Sequence, residues 1–332
     1  MISRRKLLSA TAGAVVVTGF PYVARSAPTV IKLAHPTAES HPAHVGALLF
    51  KQELEKRVPG KVTVQIYPNR QLGDDKQNLE AAVAGTTEIA LSSTVLIPLV
   101  VKRASFDAWQ LPFLINGYDH FQRLTQAPVY QKFLDDLEPA GLVGLNIADV
   151  GRRHFLSATR SVKATADFVG LKTRIVPVPM HKAIWEAVGT NPVGLPYGEV
   201  YSALQTKVID AVEINISSIL GENMWEVGKN LTLTGHYAWP AAIVASKVFF
   251  DKQPKEVQQA MREAGRACVK GTLDYSEEQE SKASKVLESK GVQISTLSDL
   301  NVMKQKVRPI LDKWGQRSPL IVEFIKAAET TS

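Results

Sequence analysis

The sequence predicts an α/β protein of two units, joined without a flexible linker and braced by one long helix. Three observations carry this. Short apolar strands alternate with helical segments along the chain, the pattern of a largely parallel sheet. The length, 332 residues, suits about two domains. Pro254 opens a helical pattern that runs to about Lys290, roughly 50 Å at 1.5 Å per residue, which exceeds one domain. No Gly/Ser linker and no internal repeat is present, so short crossovers must wire the two units together, as in a hinged trap. The expected partition is 27–150 with about 238–280 for the first unit, and 151–237 with about 281–330 for the second.

Before the first strand stands a leader. Residues 2–8 carry Arg4, Arg5 and Lys6, and an apolar stretch follows from Leu7 to Phe20. About 14 residues is too short for a membrane span and right for a signal-peptide core. Ala24-Arg25-Ser26 supplies a small-x-small cleavage site, with the mature chain starting at Ala27. Ser3-Arg4-Arg5-x-Leu7-Leu8 reads as a twin-arginine export signal; the alternative is an ordinary secretory signal with two arginines. Both routes lead to the periplasm.

The mature elements follow in order. Thr29–Ala34 is a strand and 42–57 a helix with Leu48, Leu49 and Leu54 on one side. Lys61–Tyr67 alternates, Val62, Val64 and Ile66 facing one way. Asp74–Ala84 is a helix and Glu88–Ser92 a strand. Leu142–Ala148, Thr173–Val176 and Val208–Glu213 are strands; Met180–Val188 and Val200–Thr206 are helices. Residues 241–248 form the last strand. In the long helix Val257, Met261, Ala264 and Cys268 give the first buried face; Gly265 and Gly271 allow a bend.

Composition narrows the function. The chain is 45% hydrophobic and 21% charged, values of a soluble globular protein. The formal charge is +7, but the leader holds four basic residues and no acid, leaving 35 basic against 32 acidic side chains. That balance, with the cations scattered, gives no footprint for nucleic acid. One cysteine, Cys268, forms no internal disulfide or Cys-rich metal site and reads as a packed thiol. Phosphate-loop, dinucleotide, nucleophile-elbow and His-Glu-x-x-His motifs are missing, so no catalytic residue, cofactor or metal is expected. His35, His41 and His44 cluster near a helix start without an obvious fourth ligand.

The distinctive residues gather between Val150 and Glu213. Arg152 and Arg153 stand at the edge of one apolar strand, and Arg174 lies inside another. A buried arginine is costly unless an anion meets it, and its planar fork fits a carboxylate. Two partners suit Arg174: an internal acid such as Glu199 or Asp210, or a ligand's carboxylate.

This region resembles the solute-binding proteins of tripartite ATP-independent periplasmic (TRAP) transporters, the DctP type. Gly170–Arg174 matches the family's Gly-x-Lys-x-Arg, Gly189–Pro192 its Gly-x-x-Pro turn, Glu199–Gln205 its Glu-Val-Tyr-x-Ala-Leu-Gln, and Asp210–Glu213 its acidic pair. Gln71-Leu72-Gly73-Asp74 and Leu111-Pro112-Phe113-Leu114 match further turns. The resemblance implies a two-domain periplasmic binding protein that performs no chemistry. It would bind an organic carboxylate and deliver it to the small and large membrane subunits of a TRAP transporter. It implies that Arg174 clamps the carboxylate, with Arg153 assisting. A family asparagine is replaced by Ile214, which would make that wall apolar and favour a less hydroxylated acid over a sugar acid. Glu199 belongs to the matched motif, His35, His41 and the segment before Phe113 would supply the first-unit wall, and Tyr237 and Trp239 would pack on the ligand or in the core. Two other classes stay open: an exported, cofactor-loaded oxidoreductase, and a same-fold receptor serving another transporter or a sensor kinase.

Overall fold

The computed structural model describes residues 27–331; the leader, with its export signal and cleavage site, lies outside the described residues. Ten strands run in chain order: β1 (Thr29–Ala34), β2 (Val62–Tyr67), β3 (Ile89–Ser93), β4 (Leu142–Ser157), β5 (Lys172–Ile175), β6 (Asn191–Gly194), β7 (Ala211–Asn215), β8 (Asn230–Leu233), β9 (Ala238–Ser246) and β10 (Gln293–Thr296). The helices are α1 (Pro42–Arg57), α2 (Asp75–Ala84), α3 (Ile97–Val101), α4 (Tyr118–Gln126), α5 (Pro128–Asp135), α6 (Pro179–Ala187), α7 (Val200–Gln205), α8 (Ile216–Gly221), α9 (Lys247–Phe250), α10 (Lys255–Ser289), α11 (Leu300–Gly315) and α12 (Pro319–Thr331).

The strand order is β2-β1-β3-β9-β4-β7-β5-β6, with β8 pairing β4 and β10 pairing β8. The expected parallel pairs form at both ends: β1 with β2 and β3, β5 with β6 and β7. The centre is antiparallel, because the long strand β4 serves two neighbourhoods. Its first half, Leu142–Asp149, pairs with β9; its second, Arg153–Ser157, pairs with β7 and β8. A register shift between Asp149 and Arg152 separates the halves. Such a bulge re-aims the side chains that follow it, here Arg153. Pro192 sits in β6, which ends the strand order, where a missing N–H is tolerated.

The long helix α10 runs unbroken for 35 residues and packs on α1 and β4 early, and on α8 and β10 further along. Gly265 is there for closeness rather than for a bend: a Cβ on it would stand 2.4 Å from the Leu145 carbonyl oxygen. Cys268 is buried as a thiol, 3.0 Å from Asn146 Nδ2, and burial pushes it up to about 12. The C-terminal helices divide. The α11 helix packs on α6, whereas α12 packs on α4, α5 and the 104–110 turn, beside Trp109 and Phe133. The last helix therefore lies chiefly on elements of the first expected unit, with a smaller contact to α11. Among the described residues no helix is long and apolar enough to cross a membrane.

Candidate functional site

A cavity of about 520 Å³ opens between the loop after β1, the start of α2 and β3 on one side, and the ends of β4, β5 and the 196–199 turn on the other. Arg153 and Arg174 both line it and both are 2% exposed.

Arg174 projects from β5, a strand buried from Thr173 to Ile175. Its Nε and Nη2 donate to the Leu195 carbonyl at 3.0 and 2.8 Å. No carboxylate of the described residues lies within ion-pair distance of it. Glu199 is exposed on the cavity rim, and Asp210 accepts the Lys172 N–H instead. The internal-acid pairing of Arg174 is therefore not what forms. Burial, reinforced by the neighbouring Arg153, pulls its guanidinium down to about 10, still protonated at neutral pH.

Arg153 is held differently. Its Nε donates to Glu213 Oε2 at 2.6 Å, its Nη2 bonds the Glu213 carbonyl, and its guanidinium lies 3.8 Å from the Trp239 ring centroid, a cation–π contact. Glu213, wholly buried, also accepts the Tyr237 hydroxyl at 2.9 Å. Its carboxylate stands 3.7 Å from both His181 and His236. Burial alone would raise its pKa; Arg153 and the two imidazoles outweigh that and hold it well below the usual carboxylate range.

Strand alternation sorts the remaining residues. In β7, Glu213 and Asn215 face the Arg153 side, Asn215 Nδ2 lying 3.0 Å from His41 Nε2. Gly151 permits this, since a Cβ there would stand 2.7 Å from Asn215 Nδ2. Ile214, between them, points the other way into a cluster with Leu156, Val200 and Leu231. It is core, not cavity wall, and the argument for a less hydroxylated ligand falls with it. Tyr237 is likewise core, stacked on His181 at 5.0 Å, while Trp239 lines the cavity. His41 caps α1 by accepting the Ala43 N–H and lines the cavity; burial lowers it to about 3, so it is neutral. His35 lies behind, its Nε2 3.0 Å from His44 Nδ1, so the three histidines do not converge on one centre. Phe113 is not at this site. It takes a left-handed φ of 58°, its N–H bonds the His236 carbonyl at 2.8 Å, and its ring faces a separate groove beside Leu311 and Ile325.

The first-unit wall comes from the loop after β1, with Pro36, Thr37 and His41 as expected, and from Asp74–Gln77 and Ser93 in place of the segment before Phe113. Asp74 caps α2, and its Oδ2 accepts the Gly198 N–H across the cleft at 3.2 Å. Asp75 accepts the Ser92 hydroxyl at 2.6 Å and the Ser93 N–H. Sequence reading assigned these residues no role, although the Gln-Leu-Gly-Asp turn marks them. A second cross-cleft bond joins Arg70 to Glu222, Nη1 to Oε1 at 3.1 Å and Nη2 to Oε2 at 2.9 Å.

Comparison with known proteins agrees with this architecture. The family model described as bacterial extracellular solute-binding protein, family 7 (DctP), matches residues 33–317. A C4-dicarboxylate-binding periplasmic protein from Rhodobacter capsulatus is 30% identical over 94% of this chain and 95% of its own. Among solved structures, a sugar acid binding protein from Advenella mimigardefordensis in complex with galactonate superposes with TM-score 0.87 at 26% identity, covering 92% of this chain and 99% of that one. A TRAP periplasmic solute binding protein from Shewanella oneidensis with bound succinate gives 0.84 at 29%, over 92% and 99%. The family match over most of the chain, the two-domain α/β fold and the long bracing helix lead to one conclusion: this chain belongs to the DctP family of extracellular solute-binding proteins.

Proposed function

We propose that the protein is a periplasmic receptor that closes around an organic carboxylate and presents it to the membrane subunits of a TRAP-type transporter, without chemistry of its own. The observation that carries this is Arg174: a buried, protonated guanidinium at a cavity wall that, among the described residues, hydrogen-bonds a carbonyl and no carboxylate. A desolvated cation needs an anion, and a carboxylate entering between the walls supplies it. Arg153 is the second donor, steadied by Glu213 and Trp239. The relatives that bind a dicarboxylate, galactonate and succinate by name support the ligand class. The same reading places the hinge at the β4 bulge and in β9. It groups 27–150, about 238–280 and α12 in one domain, and 151–237 with the end of α10 and α11 in the other. Closure is then stabilised by ligand contacts to both domains at once.

Calorimetric titration of Arg174→Ala with the acids that shift the parent's melting tests it. Truncating one partner of a desolvated charge pair costs about 2–5 kcal/mol, roughly 30- to 5000-fold in affinity. An apo melting temperature near the parent's, with that loss, supports the clamp; affinity within threefold of the parent refutes it.

A further inference from the structure

Resting on that reading, we infer that the ligand is a monocarboxylate whose far end donates hydrogen bonds, a hydroxy or amino acid, and not a dicarboxylate. The argument is the charge distribution across the cavity.

Facing the arginines is the first turn of α2. A helix N-terminus ordinarily favours an anion, but this one is already occupied. Asp74 Oδ1 accepts the Asp75 N–H at 2.8 Å, and its capping box with Gln77 closes the turn. Asp75 adds a second carboxylate one residue on. It lines the cavity, makes its hydrogen bonds to Ser92 and Ser93, and has no ion-pair partner among the described residues.

Cations that would receive a second ligand carboxylate are already spoken for. Lys76 is exposed and pairs with Glu80 at 3.5 Å. His41 is neutral. Arg153 is balanced by Glu213 at 2.6 Å. Among the described residues that line the cavity, that leaves Arg174 as the buried cation with no carboxylate within ion-pair distance, and one ligand carboxylate satisfies it. A second carboxylate would stand against Asp75 and Asp74, and like charges repel at such close range. A hydroxyl or an ammonium would instead be drawn to the acids: Asp74 Oδ2 accepts one N–H, from Gly198, and keeps a lone pair for a further donor, while Asp75, whose acceptor sites are filled by Ser92 and Ser93, contributes its negative charge. Among the described residues Arg174 has no carboxylate and Asp75 no cation within ion-pair distance, and the two thus ask for different ends of one molecule.

The test is calorimetry on the full mature chain with four-carbon acids matched in length: succinate, 4-hydroxybutanoate, 4-aminobutanoate and 2,3,4-trihydroxybutanoate. At least one donor-ended acid should bind tenfold or more tighter than succinate. The hydroxy and amino arms identify which donor the site takes. In Asp75→Asn the ratio should fall below threefold, chiefly because succinate gains; apo melting checks that the variant folds, and if it does not, the parent's ratio decides. Succinate binding as tightly as every donor-ended acid overturns the inference and leaves the carboxylate receptor standing. An unchanged ratio in Asp75→Asn overturns it as well. No binding by any acid, longer homologues included, to a cooperatively melting parent removes the receptor reading itself.

Discussion

On one wall of the cavity the charges sit on buried strands; on the other they stand at the end of a helix. Arg153, Arg174 and Glu213 project from β4, β5 and β7, where neighbouring strands fix the backbone; the Trp239 ring holds Arg153, the Tyr237 hydroxyl Glu213 and the Leu195 carbonyl Arg174. Asp74 and Asp75 belong to a turn and a helix start, held by short local bonds. The first wall is costly to build and hard to move. The second is cheaper, varies with a few residues, and reaches across the cleft through Asp74 and Arg70. If the proposed function holds, the rigid wall would recognise what all ligands of a class share and the facing wall would tell them apart.

The largest effect should follow from disturbing the rigid wall. Glu213→Gln keeps the shape but leaves Arg153 buried without its counter-charge. Breaking one partner of such a pair costs about 3–5 kcal/mol, so the melting temperature should drop by several degrees before any ligand is added. If the variant melts like the parent, Arg153 is solvated well enough to stand alone, and the walls differ less than argued.

Next comes geometry at Arg174. In Arg174→Lys the charge stays but the planar fork is lost, and an ammonium cannot make two parallel bonds. Titration should show an affinity between those of the parent and Arg174→Ala, with the apo melting unchanged. Full recovery would mean that the wall supplies charge alone.

The rigid wall was also the more legible one. Period-2 alternation announced β2, short apolar segments announced β1 and β3, and arginines in or at the edge of apolar strands marked the residues that line the cavity. The same period, applied to Glu213-Ile214-Asn215, would have turned Ile214 away from the cavity: if Glu213 faces Arg153, its neighbour cannot. The facing wall was harder to read. Its members are ordinary surface residues in composition, and only the fold brings Asp75 opposite Arg174. Phe113 depended on a left-handed turn that no propensity signals in a bulky residue. The strands β6, β8 and β10 are four residues each, too short for periodicity to register.

The walls should also titrate in opposite senses. Burial raises Asp75 to about 6, so the folded state keeps a proton that the unfolded chain releases near the ordinary carboxylate value. Its contribution to stability is fullest below that value and is lost as pH rises through about 6. His181 and His236, lowered by burial to about 3 and 4, behave in reverse: the unfolded chain takes up protons below about 6.5 that the fold refuses, so stability is lost as pH falls. Removing the Asp75 term isolates one sign. The melting temperature of Asp75→Asn minus that of the parent should increase between pH 4 and pH 7, and a flat or falling difference would show that Asp75 is not desolvated.

The smallest effect belongs to the bond that joins the walls. Arg70 and Glu222 pair through both nitrogens and both oxygens, but their side chains remain 29% and 14% exposed. Pairs so placed contribute about 1 kcal/mol or less. They matter because Arg70 follows β2 and Glu222 follows α8, on opposite sides of the cavity, so a hinge motion that opened the cleft would part them. Whatever the pair contributes is therefore spent on the open–closed balance and passes into ligand affinity through the closed fraction. Glu222→Gln should weaken binding up to about fivefold, with little change in apo melting, and 0.5 M salt should weaken the parent toward the variant while leaving the variant nearly unmoved. An affinity loss equal in both proteins at every salt concentration would assign the effect to the arginine clamp and take the latch out of the closing mechanism.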